Sequence, residues 1–255
     1  MTDPSALRDA LPAQAPRGRL PITLVLDSSQ SMETSGRIDE LNTALQSWRT
    51  ELLGNDHLAS IGEVALVSFG FNYVQVLDAS SRVNGRPEQP YVAVRDFHPP
   101  TLRAAGVTPM VAALQTALDL VAARRLQLRD SGTPLKNRPL IYLITDGVPT
   151  DDRGLPSDSW RDFAPVLREQ EKGRQILFFA LGVSGADMDV LRELAPNSAY
   201  DLADLPLAQV LNFVSTSTER LSSASREQPA EDQYRGVRDQ QERSERIREW
   251  LEKNV

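Results

Sequence analysis

Three short apolar runs constrain this chain more than anything else in it. Ile22 to Leu26 is β-prone and ends in Asp27, Leu140 to Thr145 ends in Asp146-Gly147, and Ile176 to Leu181 ends in Gly182. A strand with one wet face alternates apolar and polar residues, whereas continuous runs such as the last two belong to central strands covered on both faces. Helical periods lie between them. Ile38, Leu41, Leu45, Trp48 and Leu52 recur at helical spacing, as do Val111, Leu114, Leu118 and Val121, then Trp160, Phe163, Ala164 and Leu167. Met188, Leu191 and Leu194 suggest a short helix, and Leu207, Val210, Leu211, Val214 and Leu221 a longer one. Strands alternating with helices predict an α/β fold, a doubly wound, mostly parallel sheet flanked by helices in the Rossmann manner. Val64 to Phe69 and Tyr73 to Leu77, joined by Gly70-Phe71-Asn72, read as a hairpin that supplies one antiparallel edge strand. A further short strand is expected around Val92 to Phe97, with loop from Ala79 to Gln89.

The organisation follows: a flexible leader over 1–19, one domain over 20–221, and a linker with a charged C-terminal helix over 222–255. The leader is rich in Pro, Ala and Arg and lacks the apolar core of a signal peptide. The tail pairs Glu231/Arg235, Asp239/Arg243, Glu242/Arg246 and Glu249/Lys253, acid before base at i,i+4, which supports an exposed helix. Its apolar cluster, Ile247, Trp250, Leu251 and Val255, can pack back on the domain or meet a partner.

A net charge of −7 gives no pull toward nucleic acid or acidic lipid. With no cysteine the chain has no disulfide, thiolate zinc site or cysteine nucleophile. No stretch of about 18 apolar residues marks a membrane span. These features predict a cytoplasmic protein. His57 and His98 have no partner at metal-ligand spacing.

In a doubly wound sheet, ligands bind beyond the carboxyl ends of the strands. Three loops converge there with oxygen donors: Asp27-Ser28-Ser29-Gln30-Ser31, Gly106-Val107-Thr108-Pro109 and Thr145-Asp146-Gly147. An all-oxygen set suits a hard divalent cation such as Mg²⁺. Each loop alone has a plainer reading. Thr108-Pro109 is an ordinary helix start, Asp146-Gly147 a common turn, and Ser28 to Ser31 a polar loop. Their conjunction favours a metal site.

The pattern resembles the metal-ion-dependent adhesion site of von Willebrand factor A (vWA) domains: D-x-S-x-S, a distant Thr and a distant Asp. The stretches LPITLVLDSSQSM, AAGVTPMVAAL and RPLIYLITDGVPTDD are most similar to the bacterial TerY-like (YegL-like) branch, associated with tellurite-resistance and stress gene sets. The resemblance implies that Ser29, Ser31 and Thr108 hold Mg²⁺, or Mn²⁺ or Ca²⁺, through their hydroxyls, while Asp27 and Asp146 act through waters or hydrogen bonds. It implies a non-enzymatic, metal-dependent adaptor that captures an acidic side chain of a protein partner. Tellurium-resistance-type proteins, or a kinase and PP2C-type phosphatase pair, are the partners it suggests. Gln30 and Val107 stand where the family commonly has glycine, and are expected to stiffen the loops or narrow the approach.

The enzyme alternative is a Mg²⁺-dependent phosphatase or hydrolase using Asp27 as nucleophile. It wants a second acid two residues on, where this chain has Ser29, and neither a phosphate loop nor a nucleophile elbow is present.

Overall fold

The computed structural model describes residues 18–81 and 89–254, with side chains described through Ser244 and again at Arg246. The leader thus falls outside the described residues except for Gly18 and Arg19, as does most of the 79–89 loop. So do the side chains of Ile247, Trp250, Leu251 and Val255.

Seven strands form one sheet: β1 (Leu20–Ser28), β2 (Gly62–Gly70), β3 (Tyr73–Leu77), β4 (Val92–Ala93), β5 (Leu140–Thr145), β6 (Leu177–Gly182) and β7 (Ala199–Asp201). The order is β3-β2-β1-β5-β6-β7, with β4 also paired to β2. All pairings among β2, β1, β5, β6 and β7 are parallel. The hairpin strand β3 and the short β4 run antiparallel to β2. The expected doubly wound sheet with an antiparallel edge is therefore present. The segment expected as a strand at Val92 to Phe97 is strand for two residues and then turns through a 3₁₀ turn, Val94–Asp96.

The helices are α1 (Gln30–Thr34), α2 (Arg37–Gly54), α3 (Asp56–Ile61), α4 (Met110–Asp130), α5 (Ser159–Lys172), α6 (Met188–Leu194), α7 (Leu207–Ser222) and α8 (Ala230–Asn254). Alternation along the central strands divides the core. Leu24, Leu26, Tyr142, Ile144 and Phe179 point into one apolar layer with Leu41, Trp48 and Val214 of α2 and α7. Val25, Ile141, Leu143 and Phe178 point into the other, with Leu114 of α4 and Leu167 of α5. A period of two on the strands meets a period near 3.6 on the helices, so each face is dry. All six residues of β5 and of β6 are buried, as their continuous apolar runs require, and so are all nine of β1, the polar Thr23, Asp27 and Ser28 included.

α3 has no long apolar period to announce it. Asn55 starts it, its side-chain oxygen accepting from Leu58 N–H at 3.0 Å. The charged tail is helical, and one side of its first turns is buried against the domain while Glu231, Arg235 and Arg238 stay exposed. Tyr234 and Val237 are buried, and the Tyr234 ring meets Phe179 edge-on at 5.1 Å. Phe178 N–H donates to the Tyr234 hydroxyl at 2.9 Å, which itself donates to Glu171. Asn137 Nδ2 donates to Gln233 at 2.7 Å. Farther along, Arg246 pairs with Glu242 at 3.1 Å as expected, whereas Arg235 pairs with Asp232 at i,i+3.

Candidate metal centre

The parallel register brings the carboxyl ends of β1 and β5 level: Leu26 lies opposite Ile144, so Asp27 and Thr145 follow side by side. Thr145 Oγ1 donates to Asp27 Oδ2 at 2.5 Å, and Ser29 N–H donates to Asp27 Oδ1 at 2.9 Å. Asp27 is fully buried, and both its oxygens accept from neutral groups. Burial pushes its pKa up to about 6; the bonds from Ser29 and Thr145 oppose the rise, and Asp146 nearby adds to it.

Ser31 Oγ donates to Asp146 Oδ1 at 2.6 Å, and Ser29 Oγ lies 3.0 Å from Ser31 Oγ. A hydroxyl has one proton. Since that of Ser31 goes to Asp146, the proton between the serines comes from Ser29. The chain Ser29→Ser31→Asp146 thus draws protons away from both hydroxyl oxygens and leaves lone pairs free. Asp146 is almost wholly buried, and burial raises its pKa, while Ser31 and the Arg37 cation pull it down.

Ser29 stands at a helix cap position and Thr108 just before one, and neither hydroxyl caps a helix. Ser29 precedes α1 and makes no side-chain cap bond. α4 begins at Met110 with Pro109 as its cap residue, so Thr108 lies one residue earlier than an ordinary Thr-Pro helix start would put it, and no side-chain bond closes that end. A carbon built on Gly147 would sit 3.3 Å from Asp27 Oδ2 and 3.3 Å from Thr108 Oγ1. Both oxygens therefore border one small space above Gly147. All five expected residues, Asp27, Ser29, Ser31, Thr108 and Asp146, are gathered at this end of the sheet.

Close backbone approach holds the loops. Gly70, at φ 120°, lies so near the first loop that a Cβ there would come within 2.4 Å of Ser28 and Ser29 backbone atoms. Ser28 O accepts from Phe71 N–H and Ala105 N–H, and Gln30 N–H donates to Gly106 O at 3.1 Å. Gln30 thus ties the first loop to the second, with its side chain exposed. Val107 is half-buried under the turn at Gly154.

Three supporting residues escape a reading by motif. Thr145 orients Asp27, Thr150 Oγ1 accepts from Thr108 N–H at 2.8 Å, and Arg37 reaches across to donate to Ser184 O beside Asp146. The alternation of β5 could have flagged Thr145; nothing in the sequence marks Thr150 or Arg37.

Among the described residues, no group of three or more His, Cys, Asp or Glu is placed to hold a metal. Any cation bound here relies on the hydroxyls. Three hydroxyls and two carboxylates, all oxygen, fit a hard divalent ion in chemistry.

The von Willebrand factor type A domain family matches residues 22–227. The chain belongs to that family. Among solved structures, the vWA fold here is similar to the pilus adhesin SpaC from Lactobacillus rhamnosus GG, with a TM-score of 0.54 and 18% identity over 80% of this chain and 31% of that one. The open conformation of SpaC gives 0.53 and 19%, over 80% and 30%. The vWF domain of the type V pili tip protein Mfa5 from Porphyromonas gingivalis gives 0.50 and 12%, over 80% and 97%. The chain spans about a third of the length of SpaC. At such identities the likeness is one of fold. None of the curated proteins matches the chain. No helix among the described residues is long and apolar enough to cross a membrane.

Proposed function

We propose that this vWA domain is a non-enzymatic adaptor whose three loops hold a divalent cation, Mg²⁺ first, and offer it to a carboxylate on a partner protein. Domains of this family are generally protein-interaction modules. The observation that carries the metal reading is the proton chain Ser29→Ser31→Asp146, which commits both serine protons and leaves lone pairs on the two oxygens without a hydrogen-bond donor. Ser29, Ser31 and Thr108 would hold the ion, with Asp27 and Asp146 orienting them. Neutral hydroxyl ligands leave the ion most of its positive charge, and that charge is what an acidic side chain would seek.

The same geometry disfavours the phosphatase alternative. A nucleophilic Asp27 would have to reach a phosphorus atom, yet it is 0% exposed and has both oxygens engaged.

The TerY-like placement, in a bacterial stress or tellurite-resistance-type system with tellurium-resistance-type proteins or a kinase and PP2C-type phosphatase as partners, rests on the three stretches of sequence similarity. A cytoplasmic site of action goes with it. The domain is read as 20–221, with 222–255 appended.

Titration calorimetry of metal-stripped protein with Mg²⁺ and Mn²⁺ tests the centre, comparing wild type with Asp27→Ala and Ser29→Ala after circular dichroism shows all three folded. Saturable binding by wild type alone is expected. Equal binding by all three, or none by any, would sink the proposal.

A further inference from the structure

About 20 Å along α4 from its start at Met110, on the side of the molecule away from the metal loops, lies a cleft of about 560 Å³. Leu126, Leu128, Pro134 and Leu135 give it apolar lining, and among the described residues its ionisable lining is three arginines and no acid: Arg125 and Arg129 of α4, and Arg226 of the α7–α8 link. That is unexpected in a chain of net charge −7. Arg124 and Arg129, on either side of Arg125, show the usual arrangement. The Arg124 guanidinium grips Glu63 at 2.6 and 2.8 Å, and Arg129 pairs with Asp130 at 3.0 Å.

Arg125 has no such partner among the described residues. Its Nε is shielded from water and makes no hydrogen bond there. Burial, and then the Arg226 cation, lower its pKa. Proximity to the carboxyl end of α4 accounts for basic residues on that helix. It does not account for a second guanidinium, from another element, lining the same cleft. The backbone of Arg226 is tied to the core: the buried Arg138 donates from Nε to the Arg226 carbonyl at 3.2 Å.

Two guanidiniums lining one cleft that no described acid lines suit an anion of charge near −2 with several oxygens, since a planar fork can take two. The leucine and proline lining selects what carries it. We propose that this cleft binds a phosphate monoester borne on an apolar or aromatic group, the phosphate lying between Arg125 and Arg226. The chemistry is the same for a free aryl phosphate and for a phosphorylated tyrosine side chain.

The test is calorimetry at fixed ionic strength in EDTA, which removes the metal centre from consideration. The probes are inorganic phosphate, phenyl phosphate, and a phosphotyrosine peptide beside its unphosphorylated twin; the proteins are wild type, Arg125→Gln and Arg226→Gln. Phenyl phosphate is expected to bind saturably and more tightly than inorganic phosphate. Each substitution should weaken it by roughly tenfold or more, the loss of one charged hydrogen-bonded contact, with the melting temperature little changed. A phosphopeptide tighter than phenyl phosphate supports the site with a phosphorylated side chain as source, and a weaker one supports it with a small molecule as source. No saturable binding of any phosphate probe overturns the proposal, as does equal affinity in wild type and both variants.

Discussion

Replacing Asp27 with asparagine should stabilise the metal-free protein at neutral pH while abolishing its response to metal. The carboxyl is fully buried, and its pKa rises from an ordinary 3.8 to about 6, chiefly through burial. A folded-state value above the unfolded one means that the folded chain holds its proton more tightly between those two pH values. Stability therefore falls as pH rises through that window, and above about pH 6 the full penalty applies. A gap of this size corresponds to about 3 kcal/mol. Asparagine keeps the shape and still accepts from Ser29 N–H, but its amide faces Thr145 Oγ1, which must turn from donor to acceptor while it also accepts from Gly147 N–H at 3.2 Å. That conflict offsets part of the gain, leaving about 1–2 kcal/mol, or roughly 2–8 °C in melting temperature for a domain of this size. Urea unfolding in EDTA from pH 4 to 8 should show the two proteins converging at low pH and the Asp27→Asn variant ahead at pH 7.5. Added Mg²⁺ should then raise only the wild type, by about 2.7 kcal/mol at a hundred times its dissociation constant. If Asp27→Asn is no more stable than wild type in EDTA at pH 7.5, the bonds from Ser29 and Thr145 already compensate the buried charge and the reasoning fails.

The remaining perturbations act on the fold rather than on the donors. Gly70→Ala forces a Cβ against Ser28 and Ser29 at 2.4 Å and at φ 120°, and should cost about 3 kcal/mol or more by chemical denaturation; a loss under about 1 kcal/mol would show that the two loops are not tightly coupled. Tyr73 is 49% exposed at φ 70°, a conformation that favours glycine, so Tyr73→Gly should raise stability by about 1 kcal/mol, and a fall would show that the ring supports the edge strand. Tyr234→Ala should cost about 3 kcal/mol and open α8 to limited proteolysis near its start; an unchanged melting curve would mean that the helix is merely appended.

How much of this is legible in the sequence depends on how local the cause is. Central strands announce themselves because being covered on both faces favours continuous apolar runs, from which β5 and β6 can be read, while β1 is read from a short β-prone run that ends in Asp27. Short elements carry too few residues to show a period. β7 is three residues whose strand character comes from pairing with β6, and α3 depends on one cap at Asn55. The tail misleads for a related reason. Its charge pattern describes the exposed face of α8 correctly, but the docking of the helix rests on Tyr234 and Val237, two residues too few and too widely embedded among charges to read as an apolar stripe.

The candidate site divides the same way. D-x-S-x-S, Thr108 and Asp146 are visible because oxygen donors of fixed type at strand ends have few structural uses in combination. What turns them into one centre is not in any motif. The proton order Ser29→Ser31→Asp146 depends on β1 and β5 being neighbours in parallel register, while Gly106 lets the second loop approach the backbone of Gly70 and Gly147 leaves room for the side chains of Asp27 and Thr108. Thr150 and Arg37 act from outside the motif, one fixing the Thr108 backbone and the other biasing the charge on Asp146. Substituting either should therefore shift metal affinity with every motif residue intact, which a reading confined to the five donors has no reason to expect.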